Sequence, residues 1–255
     1  MSLPIHVYHE THADWIEARV REAAPDRTVI SLNHRSELAA ALPEIGVLFA
    51  PMPPREGWQR AEKLRLVQLL GAGVDGLLPS PDLPESVEVA GLRGEFAPEV
   101  AEHAVAMMLA LAKNLEHWFA EQNARHFEQK PADRLAGREL LLVGLGATGQ
   151  RIARIAGAMG MIVNGVRNRE GAVPGVDRVF PLEELDRGLS RADYLVIAVP
   201  KTTATVGLFH AERLARLPKG ARVINVSRGG IVDENAIEEL LRTEHLAGAA
   251  LDVFE

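Results

Sequence analysis

The chain has 255 residues, of which 47% are hydrophobic and 25% are charged, and its formal net charge is −7. It is long enough for two modest domains with cores of their own, and its negative charge disfavours a nucleic-acid partner. No cysteine is present, which excludes disulfides, thiol nucleophiles and thiolate ligands, and no metal site is predicted. The most apolar helical run, residues 104–112, is too short to span a membrane, and the N-terminus does not resemble a signal peptide, so a cytoplasmic location is expected.

The first hundred residues alternate between short apolar runs and helix-spaced segments. Strands are predicted at residues 5–8, 28–32, 47–49, 66–70 and 87–90. Helices are predicted after Thr11, the expected N-cap of the first, and at residues 37–42 and 58–63. Such alternation indicates a parallel sheet with helices on both faces, so residues 1–97 are expected to form a small α/β domain.

The loop Gly71-Ala72-Gly73 follows the fourth of these strands directly. Ligands of open α/β sheets bind at the carboxyl ends of the strands, where this loop lies. Successive N–H groups in a glycine-rich turn form a small anion nest, which would suit the carboxylate of a substrate. A simple turn is the other interpretation of these residues.

A long helix is predicted from Pro98 to about Phe119. Its middle, residues 104–112, is apolar on all sides, which predicts burial on every side and suits a bridge between domains or an oligomer interface. Glu102 and His103 near its start are expected to have structural rather than catalytic roles. A polar connection, residues 121–138, then leads into the core of a second domain, 98–255.

The pattern Gly-x-Gly-x-x-Gly, formed by Gly144, Gly146 and Gly149, follows the apolar run 140–143 at once. Helix-spaced apolar residues continue to Gly160, and a second apolar run follows at 161–166. The first glycine permits a sharp turn, the second lets a pyrophosphate approach the backbone, and the third lets the helix pack against the strand. Strand, turn, helix and strand in this order predict a dinucleotide site, whose turn also includes Ala147 and Thr148.

The end of the second strand of this unit indicates which dinucleotide is preferred. NAD-binding units usually carry an acidic residue there, which accepts a hydrogen bond from the ribose 2′-hydroxyl. This chain has Arg167, Asn168 and Arg169 instead, whose donors suit a 2′-phosphate. NADP(H) is therefore favoured, and NAD(H) stays possible because the arginines also fit an ordinary solvated strand end.

The alternation then resumes to the end of the chain. Strands are predicted at 178–180, 194–199, 222–226 and 249–251, and helices at 182–189, 210–217 and 233–242. The loop that begins at Pro200, the turn that contains Arg228, and Asp252 each follow the carboxyl end of a strand. A second doubly wound parallel sheet is therefore predicted.

These motifs together resemble the D-isomer-specific 2-hydroxyacid dehydrogenases, the family that includes glyoxylate and hydroxypyruvate reductases. The matching segments, in the family's order, are Gly71–Asp75, Val100–Glu102, Gly144–Gly149, Ala198–Pro200 with Thr205, Asn225–Asp233 and Ala250–Phe254. The resemblance implies a flavodoxin-like substrate domain, a Rossmann dinucleotide-binding domain, and a two-fold dimer formed through the latter.

The resemblance also implies roles for single residues. Arg228 would be the catalytic residue that binds the substrate's carboxylate and polarises its carbonyl, with the loop from Gly71 to Gly73 on the other side of the carboxylate. Asp252 would meet the carboxamide of the nicotinamide. The cofactor would further contact the loop residues Val199, Pro200 and Thr205.

Two departures from the family pattern bear on function. Ala147 and Thr148 stand where the family often has Arg-Ile, so one pyrophosphate contact is lost, part of which the Thr148 hydroxyl could replace. The family's glutamate and its acid–base histidine would fall beyond Glu255, so the chain is expected to be a fragment of a longer enzyme or a truncated form. The expected function is reduction of a small 2-oxo acid such as glyoxylate or hydroxypyruvate; the alternative is a non-catalytic nucleotide sensor or corepressor-like protein on the same fold.

Overall fold

The computed structural model describes residues 3–169 and 171–255. The chain divides into two compact units between Glu95 and Phe96, and the boundary expected from the sequence lies between residues 97 and 98. Each unit contains its own parallel sheet with helices, which confirms the predicted fold class of two α/β domains. No helix within these described ranges has the length and apolarity that a membrane span requires.

The first unit is built on a parallel sheet with the strand order β2-β1-β3-β4-β5. Its strands are β1 (Ile5–Tyr8), β2 (Val29–Leu32), β3 (Val47–Ala50), β4 (Leu66–Leu69) and β5 (Glu88–Ala90), and its helices are α1 (Ala13–Ala23) and α2 (Arg35–Ala41). β1 lies inside the sheet and all four of its residues are buried. Strands, helices and loops then enclose an apolar core around Leu48, Trp58 and Val67, which are fully buried.

Two helix predictions in this unit are wrong in detail. Thr11 does not cap α1; Nδ1 of His9 accepts hydrogen bonds from the N–H groups of Thr11 (3.2 Å) and His12 (3.1 Å) instead. The helix predicted at 58–63 is only the short 3₁₀ turn Trp58–Arg60. A carboxylate oxygen of Asp82 accepts from the N–H groups of Gly57 and Trp58, so a residue distant in sequence fixes this turn.

The second unit contains a parallel sheet with the strand order β11-β10-β9-β6-β7-β8. Its strands are β6 (Glu139–Val143), β7 (Ile162–Val166), β8 (Arg178–Phe180), β9 (Tyr194–Ile197), β10 (Ala221–Asn225) and β11 (Leu246–Leu251). Its helices are α3 (Ala97–Ala112), α4 (Leu115–Ala124), α5 (Ala147–Ala158), α6 (Leu185–Leu189), α7 (Ala211–Leu214) and α8 (Glu234–Arg242). Leu140, Leu142 and Val196 are fully buried on the central strands, as their apolar runs predict.

The long helix predicted from residue 98 to residue 119 is two helices. It breaks at Asn114, which has a left-handed backbone with φ of 51°. Nζ of Lys113 donates to the carbonyl of Asp133 (2.7 Å) and Nδ2 of Asn114 donates to the carbonyl of Pro131 (2.8 Å), so the connection to β6 holds the break in place.

The apolar middle of α3 is not buried on every side within its own unit. Ala104, Met108 and Ala112 are fully buried on one face, which packs against α5 and the strands β10 and β11. Ala106 on the opposite side is exposed. The sequence predicted an all-round apolar surface correctly, but only one face of it is covered inside this unit.

Candidate functional site

The strand order of the second unit changes direction between β6 and β9. The chain runs outward from β6 to β8, then returns to β9 beside β6 and runs outward to β11 on the other side. Open parallel sheets bind ligands at the carboxyl ends of their strands at such a switch point. The predicted residues of this unit follow the carboxyl ends of β6, β7, β9, β10 and β11, so the fold brings them to one edge of the sheet.

The glycine turn after β6 has the geometry that its sequence predicts. Gly144 has φ of +104°, and a Cβ there would lie 2.3 Å from the carbonyl oxygen of Ala198. A Cβ at Gly149 would lie 1.9 Å from the carbonyl oxygen of Gly144, so α5 packs directly on the turn. Around Gly146 nothing lies within 4 Å of such a Cβ, which leaves the backbone open to a ligand.

The N-terminus of α5 is the part of this turn that can bind an anion. Gly146 is the N-cap residue, and no side chain caps the helix. Gly146 and Ala147 are exposed and Thr148 is half-buried. The first N–H groups of a helix lack intrahelical partners and carry a partial positive charge, so they suit the pyrophosphate of a dinucleotide.

A cavity of about 460 Å³ lies beside the end of β7. Its lining includes Arg167, Asn168 and Arg169, the residues predicted to bind a 2′-phosphate. Nη2 of Arg167 donates to the carbonyl of Gly171 (2.9 Å), which holds this side chain along the cavity. Arg178 at the start of β8 also lines the cavity and was not singled out from the sequence, because it lies nine residues beyond the recognised motif.

The loop after β9 is closed by its own threonine. The hydroxyl of Thr205 donates to the carbonyl of Pro200 (2.6 Å) and accepts from the N–H of Thr202 (2.8 Å). Val199 is half-buried, and its N–H donates to the hydroxyl oxygen of Ser227 (3.0 Å). Thr205 therefore shapes the loop that presents Val199 and Pro200, and a direct contact of any of the three with a cofactor stays a prediction.

The turn after β10 carries Arg228. Ser227 is buried, and its N–H donates to Oδ1 of the buried Asn225 (3.0 Å). The Nδ2 of Asn225 donates to the carbonyl of Arg228 (3.3 Å). Arg228 is half-buried and its Nη1 donates to the carbonyl of Ser227 (2.7 Å), so both its backbone and its guanidinium are held by this turn.

Asp252 follows β11 at the same edge of the sheet. Its N–H donates to the carbonyl of Asn225 (3.0 Å). Oδ1 of Asp252 lies 3.3 Å from Nε2 of His103 on α3, and both side chains are about half exposed. His103, for which the sequence analysis expected a structural role, therefore lies against a predicted cofactor residue; nothing in the local sequence indicates a contact that spans so much of the chain.

The predicted anion loop Gly71-Ala72-Gly73 belongs to the first unit and follows β4. The carbonyl of Gly71 accepts from the N–H of Leu92 (2.9 Å), which fixes one side of the loop. Ala72 is exposed. The loop is thus accessible at the carboxyl edge of its own sheet, as predicted, and its role toward a substrate stays a prediction.

Comparison with known proteins gives a consistent match. The model of the NAD binding domain of D-isomer specific 2-hydroxyacid dehydrogenases matches residues 105–255. A D-3-phosphoglycerate dehydrogenase of Synechocystis sp. is 35% identical over 207 residues, which are 77% of this chain and 36% of that protein. The chain spans 36% to 49% of the length of the phosphoglycerate dehydrogenases that it matches first.

Two solved structures align with the whole of this chain and with 82% of their own. One is a D-isomer specific 2-hydroxyacid dehydrogenase family protein from Aeromonas salmonicida, with 31% identity and a TM-score of 0.88. The other is an NADPH-dependent glyoxylate/hydroxypyruvate reductase from Sinorhizobium meliloti in complex with NADP and sulfate, with 29% identity and a TM-score of 0.88. The family model, the relatives and the fold agree, and this chain belongs to the D-isomer specific 2-hydroxyacid dehydrogenase family.

Proposed function

We propose that the chain binds NADP(H) in preference to NAD(H) and reduces a small 2-oxo acid of the glyoxylate or hydroxypyruvate type. The observation that carries the proposal is the turn after β10, which holds Arg228 at the same sheet edge as the glycine turn. A guanidinium matches the geometry of a carboxylate, and a 2-oxo acid offers a carboxylate beside its reacting carbonyl.

The residues present fit a dinucleotide. The open backbone at Gly146 and the uncapped N-terminus of α5 would hold the pyrophosphate. Asp252 would accept a hydrogen bond from the carboxamide of the nicotinamide, with His103 beside its carboxylate. The bound cofactor would supply a hydride to the C2 atom of the 2-oxo acid, and the carbonyl oxygen would take a proton from an acid to become the hydroxyl group.

Three arginines around one cavity support the preference for NADP(H). Arg167, Arg169 and Arg178 line the same space at the end of β7, and among the described residues Asp177 is the one carboxylate of the lining. The Oδ2 atom of Asp177 accepts from the N–H of Val163 (2.7 Å), so this carboxylate is engaged by the backbone. The local charge therefore favours a phosphate over an uncharged ribose hydroxyl.

Arg228 performs two tasks in this proposal. Its guanidinium would bind the carboxylate of the substrate, and the same positive charge would draw electron density toward the oxygen of the adjacent carbonyl. Polarisation of the carbonyl makes C2 a better hydride acceptor, and such preorganised charge contributes directly to the rate. A role of the loop from Gly71 to Gly73 toward the carboxylate stays a prediction.

The cofactor preference is tested by titrating the chain with NADPH and with NADH. NADPH is expected to bind about 1.5–3 kcal/mol more tightly, roughly 10- to 150-fold, because of charge-assisted contacts with the 2′-phosphate. Arg167→Asp should reverse the order of the two affinities. The matched control is Arg187→Asp, at an exposed arginine that pairs with Glu184 and does not line this cavity. Equal affinities for both cofactors in the unchanged protein would contradict the proposal.

The substrate is tested by calorimetric titration of the NADPH-loaded chain with oxalate, an unreactive dicarboxylate related to glyoxylate, and of the NADP⁺-loaded chain with 3-phosphoglycerate, a 2-hydroxy acid. Oxalate binding that Arg228→Ala abolishes would support a small 2-oxo acid. Stronger binding of 3-phosphoglycerate would instead indicate the substrate class of the phosphoglycerate dehydrogenases. Binding of NADPH without any carboxylate would favour the alternative, a non-catalytic nucleotide sensor.

A further inference from the structure

The side chain of Asn225 is buried at the end of β10 and both of its polar atoms are bonded. Only 2% of the residue is exposed. Oδ1 accepts from the N–H of Ser227 (3.0 Å) and Nδ2 donates to the carbonyl of Arg228 (3.3 Å). One amide therefore binds the N–H of Ser227 and the carbonyl of Arg228. These two bonds fix the backbone of Arg228, from which its side chain extends.

The main chain of Asn225 makes a second connection. Its carbonyl accepts from the N–H of Asp252 (3.0 Å), the first residue after β11. The backbone at Gly229, immediately after Arg228, also packs closely on the residues that follow β11. A Cβ at Gly229 would lie 1.9 Å from the carbonyl oxygen of Phe254. Asn225 thus ties the residue proposed for the substrate to the residue proposed for the nicotinamide.

Ser227 adds a third connection from the same turn. It is 4% exposed, and its hydroxyl oxygen accepts from the N–H of Val199 at the end of β9. Because a buried N–H without a partner is costly, the hydroxyl holds the β9 loop against the turn. The turn therefore connects three neighbouring strand ends, β9, β10 and β11.

We propose that Asn225 is a positioning residue that fixes the distance between the guanidinium of Arg228 and Asp252. Ser227 has a related role, because it holds the β9 loop against the same turn. The inference rests on the proposed function, because it concerns how the substrate's carboxylate and the nicotinamide are aligned. Hydride transfer requires C2 of the substrate to lie close to the cofactor, and a misplacement of about 1 Å can cost roughly 10²-fold in rate. Neither side chain needs to touch the substrate for this role.

The test compares variants of the two positioning residues by their affinities for NADPH and for oxalate. Asn225→Ala frees the backbone of Arg228 but keeps the main-chain bond to Asp252. Oxalate affinity of the NADPH-loaded chain is therefore expected to fall about tenfold or more, while NADPH affinity changes less than about threefold. Ser227→Ala should lower the affinities for both NADPH and oxalate, because the β9 loop is released. Ser227→Thr should keep both affinities near those of the unchanged protein, because it keeps the hydroxyl.

The matched control is Asn164→Ala. Asn164 is a half-buried asparagine in a strand of the same sheet, and its Nδ2 donates to Glu139 (3.3 Å). Its replacement should lower stability and leave the ratio of the two affinities unchanged. Two results would overturn the proposal. One is an equal fall in the affinities for NADPH and oxalate in Asn225→Ala, and the other is a fall in oxalate affinity no larger than in Asn164→Ala.

Amide hydrogen exchange tests the positioning itself without any ligand. Asn225→Ala should speed exchange of the Ser227 N–H at least tenfold, because its acceptor is lost, while β11 keeps its protection. Unchanged exchange at Ser227 overturns the proposal whatever the chain binds. Failure of the unchanged protein to bind oxalate, together with faster exchange in the variant, would instead reject the proposed function and retain the positioning of Arg228.

Discussion

Gly146 and Gly149 belong to one motif but lie in different surroundings, and substitutions at the two should separate binding from stability. A Cβ at Gly149 would lie 1.9 Å from the Gly144 carbonyl oxygen, so Gly149→Ala must push α5 away from β6. We expect it to lower the free energy of unfolding by about 1–3 kcal/mol, as overpacking does. A Cβ at Gly146 meets no protein atom within 4 Å, so Gly146→Ala should leave stability unchanged and weaken NADPH binding.

Chemical denaturation and NADPH titration of both variants check this prediction. Gly157→Ala is a suitable control, because a Cβ at Gly157 on α5 also meets nothing within 4 Å and that residue lies far along the helix from the turn. Unchanged NADPH affinity in Gly146→Ala would show that the pyrophosphate does not approach the backbone there.

Arg178 should contribute to the preference for NADPH, although no sequence motif indicates it. Its guanidinium lies 4.7 Å from the centroid of the Phe180 ring, and Phe180 is buried, so the side chain is oriented before any ligand arrives. Arg178→Gln is expected to weaken NADPH binding by about 0.5–1.5 kcal/mol and to leave NADH binding unchanged.

The comparison variant for Arg178 is Arg191→Gln, whose guanidinium is paired with Glu139 (2.7 Å) and does not line the cavity beside β7. Equal loss of NADPH affinity in both variants would indicate a general effect of charge rather than a contact of Arg178 with the 2′-phosphate. Titration of each variant with both cofactors distinguishes these results.

The residues of the site could be predicted from the sequence only where they belong to a contiguous motif. The turn geometry of Gly144 and Gly149 follows from the sequence because strand, turn and helix are contiguous. The contact of His103 with Asp252 could not be predicted, because it joins a helix to a strand end far along the chain. The same holds for Arg178, which reaches the cavity only because β8 pairs with β7.

At the scale of elements, the strands were predicted well and the helix ends poorly. Buried strands such as β6 and β9 are continuous apolar runs, so their composition indicates them directly. The break between α3 and α4 depends instead on hydrogen bonds from the side chains of Lys113 and Asn114. The acceptors are backbone carbonyls in the connection between α4 and β6. No periodicity in residues 98–119 contains that information.

Asp133, which lies in the connection from α4 to β6, should make the second unit sensitive to acid. Its carboxylate accepts from Arg138 (2.8 Å) and Arg222 (3.0 Å) and lies 3.5 Å from the hydroxyl of Tyr194. Burial by itself raises the pKa of the Asp133 carboxyl, but its bonds to Arg138 and the backbone N–H of Arg134 and the charge of Arg222 outweigh burial and lower the pKa below the ordinary value. Burial also raises the pKa of Tyr194 to about 12, so this phenol stays neutral.

A lowered pKa in the folded state means that the unfolded state binds the proton more readily. The stabilisation from the Asp133 carboxylate is therefore complete above the unfolded pKa of about 3.9 and is lost as the pH falls through the lower folded pKa. Asp133→Asn is expected to cost about 1–3 kcal/mol at pH 7, and the difference from the unchanged protein should shrink below about pH 4.

Denaturant unfolding across this pH range checks the prediction, with Glu239→Gln as the control. Glu239 pairs with Arg242 on the exposed surface of α8, so its replacement should cost at most about 0.5 kcal/mol. A cost of Asp133→Asn that is constant from pH 7 to pH 3 would show that the carboxylate's charge does not contribute.

α4 and the segment after it present an apolar patch, which consists of Leu115, Phe119 and Phe127. These side chains are 38%, 62% and 78% exposed, and no residue of α4 is buried. The ring of Trp118 stacks on Phe127 with centroids 5.8 Å apart, which holds part of the patch in a fixed shape. We expect these exposed apolar side chains to form an interaction site.

We expect a second copy of the chain to cover this patch. Homodimers are built on two-fold axes, so the same patch is used by both copies and each substitution acts twice. The double variant Phe119→Glu/Phe127→Glu should therefore be a monomer at concentrations where the unchanged protein is a dimer, because four aromatic anchors are lost and four charges are brought together. Loss of such anchors typically costs at least about 2 kcal/mol each.

Multi-angle light scattering at micromolar concentration measures the assembly directly. The control is Trp15→Glu, which places the same charge at an aromatic residue of α1 that is 65% exposed and lies outside the patch. It should leave the dimer intact, because exposure of a single aromatic side chain does not make an interface. A monomer in the unchanged protein would contradict the dimer, and a dimer that survives the double substitution would place its interface on another surface.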